Sequence, residues 1–181
     1  MLQIRWLGRG GQGCFTATRL LGLAAMIQGQ YALAFPSFGP ERRGAPVLGF
    51  TKISNDPVRD RSAIQNPDVV VVLDAAMLTP NAYAGLKENG FLLVNSPTPV
   101  EVKGNFITRS FDATAWAIEI LGRPVANTAM LGVLIANTGC VFLEVAEQAV
   151  AKEFEGKLQE KNIELLRLSF QRALPYERLK V

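Results

Sequence analysis

Histidine is absent from all 181 residues, and that gap removes a large share of enzyme chemistry. Without imidazole the chain has no histidine acid–base group, no histidine-containing triad and no histidine metal ligand. Cysteine is nearly absent: Cys14 and Cys140 cannot supply the four thiolates of an iron–sulfur cluster, and their wide separation matches no redox or zinc motif. Charged residues make up only 19% of the sequence. There is no dense basic run and no aromatic-studded basic strand, which argues against nucleic acid as a partner. No uninterrupted apolar stretch reaches membrane-spanning length, because the segment 127–142 has polar ends and carries Asn137-Thr138-Gly139 inside it. Arg5 and Arg9 interrupt the apolar N-terminal stretch, so no secretory signal is read there and a cytoplasmic location is expected.

What the chain does have is apolar content, 49% of residues with a mean hydropathy of +0.16. Its 19.7 kDa suits a single domain over residues 1–181, large enough to bury roughly two-thirds of its extended surface. With so few charges, part of the remaining surface is expected to serve partners. The net charge of +3 is unevenly spread. Between Arg9 and Arg61 stand seven basic and three acidic residues, whereas from Glu144 onward seven face seven. The positive potential therefore belongs to the N-terminal half, where it would attract an anionic ligand or an acidic partner surface.

That half begins with the organising motif. Residues 2–7 read as a short strand, Gly8-Arg9-Gly10-Gly11-Gln12-Gly13 follows at once, and residues 14–29 read as a helix with a broad apolar face. Glycines here allow a tight turn with positive φ and bring bare backbone close to whatever approaches. The exposed first N–H groups of the helix suit a phosphate or carboxylate. The spacing fits the loose dinucleotide fingerprint only through Gly8, Gly10 and Gly13, and it lacks the Lys-Ser/Thr ending of a P-loop. A purely structural turn accounts for it equally. Cys14 beside the helix N-terminus would have a lowered thiol pKa if exposed, whereas a small buried residue is the plainer reading.

Residues 31–46 carry three prolines and two glycines, which leaves a brief strand at 31–33 and otherwise a long irregular loop of the kind that is often functional. Phe35 and Phe38 lie beside Glu41, Arg42 and Arg43, an interface-like mixture in which either arginine could also grip a phosphate or carboxylate. A strand is expected over 47–54, an exposed connection or one short helix over 58–67, and a buried parallel strand at the sheet centre over Asp68–Asp74. Asp74, at the C-terminal end of that strand, is a ligand candidate or a simple cap. Thr79 and Pro80 predict a short helix ending near Gly90. Residues 91–95 form the next strand, placing Asn95 and Ser96 at its end. An extended unit around 100–110, a helix capped by Asp112 and Gly122, an all-round apolar helix from Asn127 to Gly139, and two amphipathic helices over 143–154 and 158–174 complete the chain. The expected fold is α/β, a Rossmann-like three-layer domain with a mostly parallel central sheet and C-terminal helices. No nucleophile and no acid–base pair emerges from the residues themselves.

The glycine motif at 8–13, together with Ala34-Phe35-Pro36-Ser37-Phe38-Gly39-Pro40-Glu41-Arg42-Arg43-Gly44-Ala45-Pro46, resembles the gamma subunit of 2-oxoacid:ferredoxin oxidoreductases, in particular the pyruvate and 2-oxoisovalerate branch of pyruvate synthase type. The strand at 68–74, the strand end at 93–96 and the helix start at 127–132 match the same family, so the resemblance spans nearly the whole chain. It implies a complex whose alpha and beta subunits bind thiamine diphosphate with Mg2+, and whose [4Fe-4S] clusters lie in beta or in a ferredoxin-like delta subunit. Such a complex decarboxylates a 2-oxoacid oxidatively to acyl-CoA and CO2, passes electrons to ferredoxin, and can run in reverse.

The resemblance further implies that the gamma chain sits beside the catalytic subunits near the entry of coenzyme A. On that basis Gly8, Arg9, Gly10, Gly11, Gln12, Gly13, Arg42, Arg43 and Asn95 are the expected contacts to coenzyme A or to a neighbouring subunit, with Glu41 orienting one guanidinium. No catalytic residue and no metal ligand is assigned to this chain, and the isolated chain is expected to be inactive. A 2-oxoisovalerate, 2-oxoglutarate or aryl 2-oxoacid complex, the last linked to NAD through another subunit, is the alternative substrate reading. A self-contained NAD- or flavin-dependent oxidoreductase and a non-catalytic coenzyme A- or nucleotide-binding interaction module are the readings from other classes.

Overall fold

In the computed structural model, which describes residues 1–37 and 46–174, six strands form one sheet. They are β1 (Leu2–Arg9), β2 (Tyr31–Ser37), β3 (Pro46–Ser54), β4 (Val69–Val72), β5 (Phe91–Asn95) and β6 (Ile107–Phe111), in the spatial order β2-β3-β1-β4-β5-β6. β1, β4, β5 and β6 run parallel, while β3 is antiparallel to both β1 and β2. The mostly parallel sheet expected from the sequence is present, with β3 as its one reversed strand. β4 is four valines, every one fully buried, as a strand covered on both faces must be.

Helices cover one face. α1 (Cys14–Ile27), α2 (Ala113–Leu121), α3 (Asn127–Thr138), α4 (Leu143–Glu153) and α5 (Gly156–Ala173) share the larger core with Ile4, Trp6, Val69, Val71, Phe91 and Leu93. All twelve residues of α3 are buried, which explains why its sequence is apolar on every side. At Gly132 an added Cβ would lie 2.2 Å from Ser169 Oγ and 2.7 Å from the Leu166 carbonyl. Glycine there lets α5 approach the backbone of α3. Asp112 caps α2 by accepting from the Ala115 N–H at 2.9 Å, and Gly122 ends that helix at φ 74°, both as expected.

The opposite face has a smaller core of Leu7, Val70, Val72, Ala82, Leu92 and Val94. Its third layer is a 3-10 turn over Ala75–Met77 with irregular chain around it. The short helix expected from Thr79 and Pro80 does not form. Arg5, 8% exposed, supplies the reason. Its Nη1 donates to the carbonyls of Ala84 at 2.8 Å and Ala82 at 3.4 Å, and its Nη2 to those of Ile64 at 2.8 Å and Gln65 at 3.0 Å. Carbonyls that would serve a helix are turned onto a buried guanidinium, and Gly85 at φ 75° bends the chain to allow it. Lys52, also buried, fastens the preceding segment through the Asp60 carboxylate at 2.7 Å and carbonyl at 3.0 Å.

One further expectation is corrected. β2 runs through Ser37 rather than stopping near residue 33; Pro36, opposite Gly49, is tolerated because β2 is an edge strand. α3 begins at Asn127 with Ala126 as its N-cap residue, and the Asn127 amide donates to the Gly13 carbonyl of the glycine loop. Among the described residues no helix is long and apolar enough to cross a membrane.

Candidate functional site

The parallel strands end together, and their C-terminal ends carry the residues singled out in the sequence. β1 delivers Arg9 and the glycine loop, β4 leads to Asp74, and β5 ends on Asn95. Pro46, the first residue of β3, pairs with Arg9, and Ser37, the last of β2, pairs with Leu48. The strand ends flanking residues 38–45 thus lie at the same end of the sheet as the glycine loop. Phe38, Glu41, Arg42 and Arg43 themselves fall outside the described residues.

The loop is built from backbone. Gly11 and Gly13 have φ of 92° and 76°, values that an L side chain resists. Gly10 and Gly11 are exposed, and a Cβ at Gly11 would meet nothing within 4 Å. At Gly13 a Cβ would sit 2.4 Å from Asn127 Nδ2, the atom that donates to the Gly13 carbonyl at 3.3 Å. Gly8 is buried, with Leu73, Gln12 and Cys14 around the place of its missing side chain. Gly13 is the N-cap of α1 with no side-chain cap, and the first N–H bonded to the loop from within the helix is that of Ala17, to the Gly13 carbonyl at 3.0 Å. The first turn therefore directs N–H groups out of the sheet end.

An anion of this same chain stands at that place. Asp74 Oδ2 accepts from Arg9 Nε at 2.9 Å and from Gln12 Nε2 at 3.1 Å, while its Oδ1 accepts from the Ala76 N–H at 2.9 Å. Gln12 closes the turn with its other end, its Oε1 accepting from the Arg9 N–H at 2.7 Å. The Asp74 carboxylate is one-quarter exposed and the Arg9 side chain 44%. Sequence reasoning misses this linkage. It identifies Asp74 as a strand-end carboxylate, but nothing in a one-dimensional pattern pairs that residue with an arginine on another strand.

Asn95 is 7% exposed and its amide faces inward. Its Nδ2 donates to the Leu73 carbonyl at 2.9 Å and to Thr114 Oγ1 at 2.8 Å, and its Oδ1 accepts from the Thr114 N–H at 3.1 Å. It ties the ends of β4 and β5 to the first turn of α2. Cys14 is buried, with its sulfur 3.5 Å from the Val47 carbonyl. Burial pushes its thiol up to about 12, a backbone contact from Gly49 opposing this only in part. The activated-thiol reading conditional on exposure is thereby excluded, since the helix terminus does not offset the loss of water.

Among the described residues no group of three or more His, Cys, Asp or Glu could hold a metal ion, and both cysteines are unpaired. The donor set present does not fit an iron–sulfur cluster or a Mg2+-bound diphosphate. Among the described residues this sheet end offers a glycine turn, an Arg9–Asp74 ion pair of no net charge and exposed backbone.

Known proteins share both the sequence and the shape. Residues 3–172 match the family model described as pyruvate ferredoxin/flavodoxin oxidoreductase. The common gamma subunit of pyruvate/ketoisovalerate oxidoreductases from Thermococcus litoralis is 45% identical, over 98% of this chain and 100% of that protein. The pyruvate synthase subunit PorC of Methanothermobacter marburgensis is 43% identical over 95% of this chain and 97% of its own length. The crystal structure of pyruvate oxidoreductase subunit PORC from Thermotoga maritima superposes with a TM-score of 0.85 at 38% identity, covering 94% of this chain and 95% of that one. End-to-end agreement with proteins that are themselves gamma subunits leaves no room for a different architecture, and the chain belongs to the pyruvate/2-oxoacid:ferredoxin oxidoreductase family as a gamma subunit of the PorC type.

Proposed function

We propose that this chain works as the gamma subunit of a complex that oxidatively decarboxylates a 2-oxoacid, most directly pyruvate, to acyl-CoA and CO2 with electrons delivered to ferredoxin. The observation that carries the reading is the full-length match at 45% identity to a gamma subunit of pyruvate and ketoisovalerate oxidoreductases. Thiamine diphosphate with Mg2+ and [4Fe-4S] clusters would reside in alpha, beta and a ferredoxin-like delta subunit, where they supply decarboxylation and electron transfer. This chain's own part is assembly and recognition. The sheet end bearing Arg9, Gln12 and Asp74, flanked by the strand ends leading to Arg42 and Arg43, would face the catalytic subunits where coenzyme A enters.

In this reading Gly8, Gly10, Gly11 and Gly13 shape the turn, Asn95 fixes the strand end behind it, and Arg42 and Arg43 receive coenzyme A phosphate or bridge to a neighbour. A second substrate reading has one specific observation behind it: the Thermococcus litoralis relative is named as common to pyruvate and ketoisovalerate enzymes. A gamma chain of that kind would not choose the 2-oxoacid, and the choice would lie with the thiamine-binding subunits. A 2-oxoglutarate or aryl 2-oxoacid complex would then use this chain in the same way. The direction of the reaction would likewise be set by the partners.

The test is native mass spectrometry of the complex recovered through a tag on this chain, with cofactor content and activity on a panel of 2-oxoacids. Co-purifying subunits that carry thiamine diphosphate and iron–sulfur clusters, with coenzyme A-dependent turnover, are expected. A cofactor-free homo-oligomer would overturn the proposal. Arg42→Gln should then weaken assembly or raise the coenzyme A requirement of the recovered complex.

A further inference from the structure

The end of the sheet opposite the glycine loop carries a cluster of exposed apolar side chains. β1 starts there, and α1 and α3 run back along the sheet to finish there, so that Met1, Gln28, Gln30, Ser54, Asn55 and Cys140 line one pocket of about 270 Å³. Gln28, which follows α1, ties the segments that meet at this end. Its Oε1 accepts from the Phe142 N–H at 2.7 Å, and its Nε2 donates to Gln30 Oε1 at 3.2 Å and to the Cys140 carbonyl at 3.4 Å. Around this bridge Met1 is 60% exposed, Met26 60%, Tyr31 49% and Phe142 67%. Among the described residues these are four of the eight large hydrophobic side chains left exposed, so the apolar surface is gathered at one end and not scattered singly. Residues 26–31, 53–55 and 138–143 contain no charged side chain, and Asp56 and Glu144 come just beyond them in the sequence.

Apolar surface that is concentrated and free of charge has the composition of an interface core. At roughly 200 Å² for a side chain of aromatic size, the four present about 450 Å² at their exposures. Two such patches face to face bury about 900 Å², and the neutral margin of Gln28, Gln30 and Asn55 brings the total toward the roughly 1,200 Å² at which specific interfaces begin. Charge selects the same occupant. A two-fold contact sets a patch against itself, so a charge at its centre would meet its own sign; this patch keeps its centre neutral. Its relief is self-complementary as well, because the projecting Phe142 stands beside the pocket, and a two-fold axis between them seats the Phe142 of each copy in the pocket of the other. We propose that this end of the sheet pairs with the same end of a second copy of the chain. The glycine-loop ends of the two copies then point away from each other, each free for its own set of catalytic subunits. That consequence rests on the gamma-subunit reading; the pairing is a property of the chain and does not.

The test is sedimentation of the purified full-length chain from micromolar to millimolar concentration, with Phe142→Ser and Met26→Lys alongside. Both substitutions spare the fold. Phe142 is the N-cap residue of α4 at φ −73° and ψ 147°, where serine is a preferred residue. Met26 lies exposed in the last turn of α1, where lysine suits the helix dipole. Melting temperatures at or above wild type are therefore expected for both, which separates lost pairing from lost folding. Pairing predicts a monomer–dimer equilibrium for the wild type with a dissociation constant in the micromolar range. Phe142→Ser, which removes the anchor, should weaken it at least about tenfold, and Met26→Lys, which adds a like charge to each side of the contact, should do the same. High salt should leave the wild-type dimer intact, since no ion pair holds it. A wild-type chain that stays monomeric throughout overturns the inference, as does a dimer that both variants form as well as the wild type does. A monomeric chain whose Phe142→Ser variant loses a catalytic subunit from the co-expressed complex assigns the patch to that subunit and equally overturns it. Failure to recover thiamine-binding subunits through a tag on the wild-type chain would overturn the gamma-subunit reading alone and leave the pairing standing.

Discussion

Replacing Arg5 by methionine should destabilise the layer opposite the helices by about 3 kcal/mol, and the figure comes from which carbonyls lose their donor. Four carbonyls converge on the guanidinium. Those of Gln65 and Ala84 belong to exposed residues and can turn to water, whereas those of Ile64 and Ala82 belong to buried ones. A buried acceptor left unsatisfied costs about 1–3 kcal/mol, so two of them give about 2–6 kcal/mol. The Ala82 bond, at 3.4 Å, is weak, which places its share at the low end. Desolvation lowers the Arg5 pKa, the sign of a cation whose burial is itself unfavourable, and methionine removes that cost while filling much of the volume. In a domain of this size a loss of about 3 kcal/mol lowers the melting temperature by roughly 6–12 °C. Denaturant unfolding of the purified chain measures the loss, and amide hydrogen exchange locates it, with protection falling around residues 64–67 and 82–87 before it falls in α3. Arg5→Lys should recover less than half, since one ammonium cannot span four carbonyls in a planar fork. A loss below about 1 kcal/mol for Arg5→Met, or one spread evenly through the helical layer, would refute the claim that this side chain holds the irregular layer in place.

Gly132→Ala should cost about 2–4 kcal/mol by forcing α5 away from α3, since the new Cβ would meet Ser169 Oγ at 2.2 Å and backbone at 2.7 Å; a melting temperature equal to wild type would show that the two helices slide apart freely. Gly13→Ala combines positive φ with displacement of Asn127 and should lower stability by about 2 kcal/mol, read from the same melts. The Cys14 thiol, raised to about 12, should resist iodoacetamide at pH 8 until the chain unfolds. Its folded pKa lies above the ordinary thiol value of 9.0, so its contribution to stability is full below about pH 9 and is lost as pH rises toward 12; rapid labelling of the native protein would contradict the burial. Asn95→Ala removes three hydrogen bonds between the strand ends and α2 and should cost about 2–3 kcal/mol, with exchange rising first around Thr114.

How much of the fold is legible in the sequence depends on whether the information is periodic or positional. β4, β5, α2 and α3 can be read because their signals are local: β-branched runs, an aspartate before a helix, a glycine after one, an apolar segment with no polar face. The reversed direction of β3 cannot, since a half-buried strand has the same alternation whichever way it runs. Arg5 illustrates the harder limit. In the sequence it is a charge in a strand and argues only against a signal peptide; in the fold it is the reason the Thr79–Pro80 helix signal fails. Local propensity favours a helix by a few tenths of a kcal/mol per residue, and a buried fork of charge-assisted hydrogen bonds outweighs that sum. The glycine loop divides in the same way. Its turn is predictable from composition, because glycine is the residue that tolerates φ of 92° and 76°. Its charge state is not, because Asp74 reaches it through the sheet rather than along the chain. The loop motif alone suggests an anion site, and the carboxylate that pairs with Arg9 at 2.9 Å comes from beyond the neighbouring strand, where no local spacing announces it.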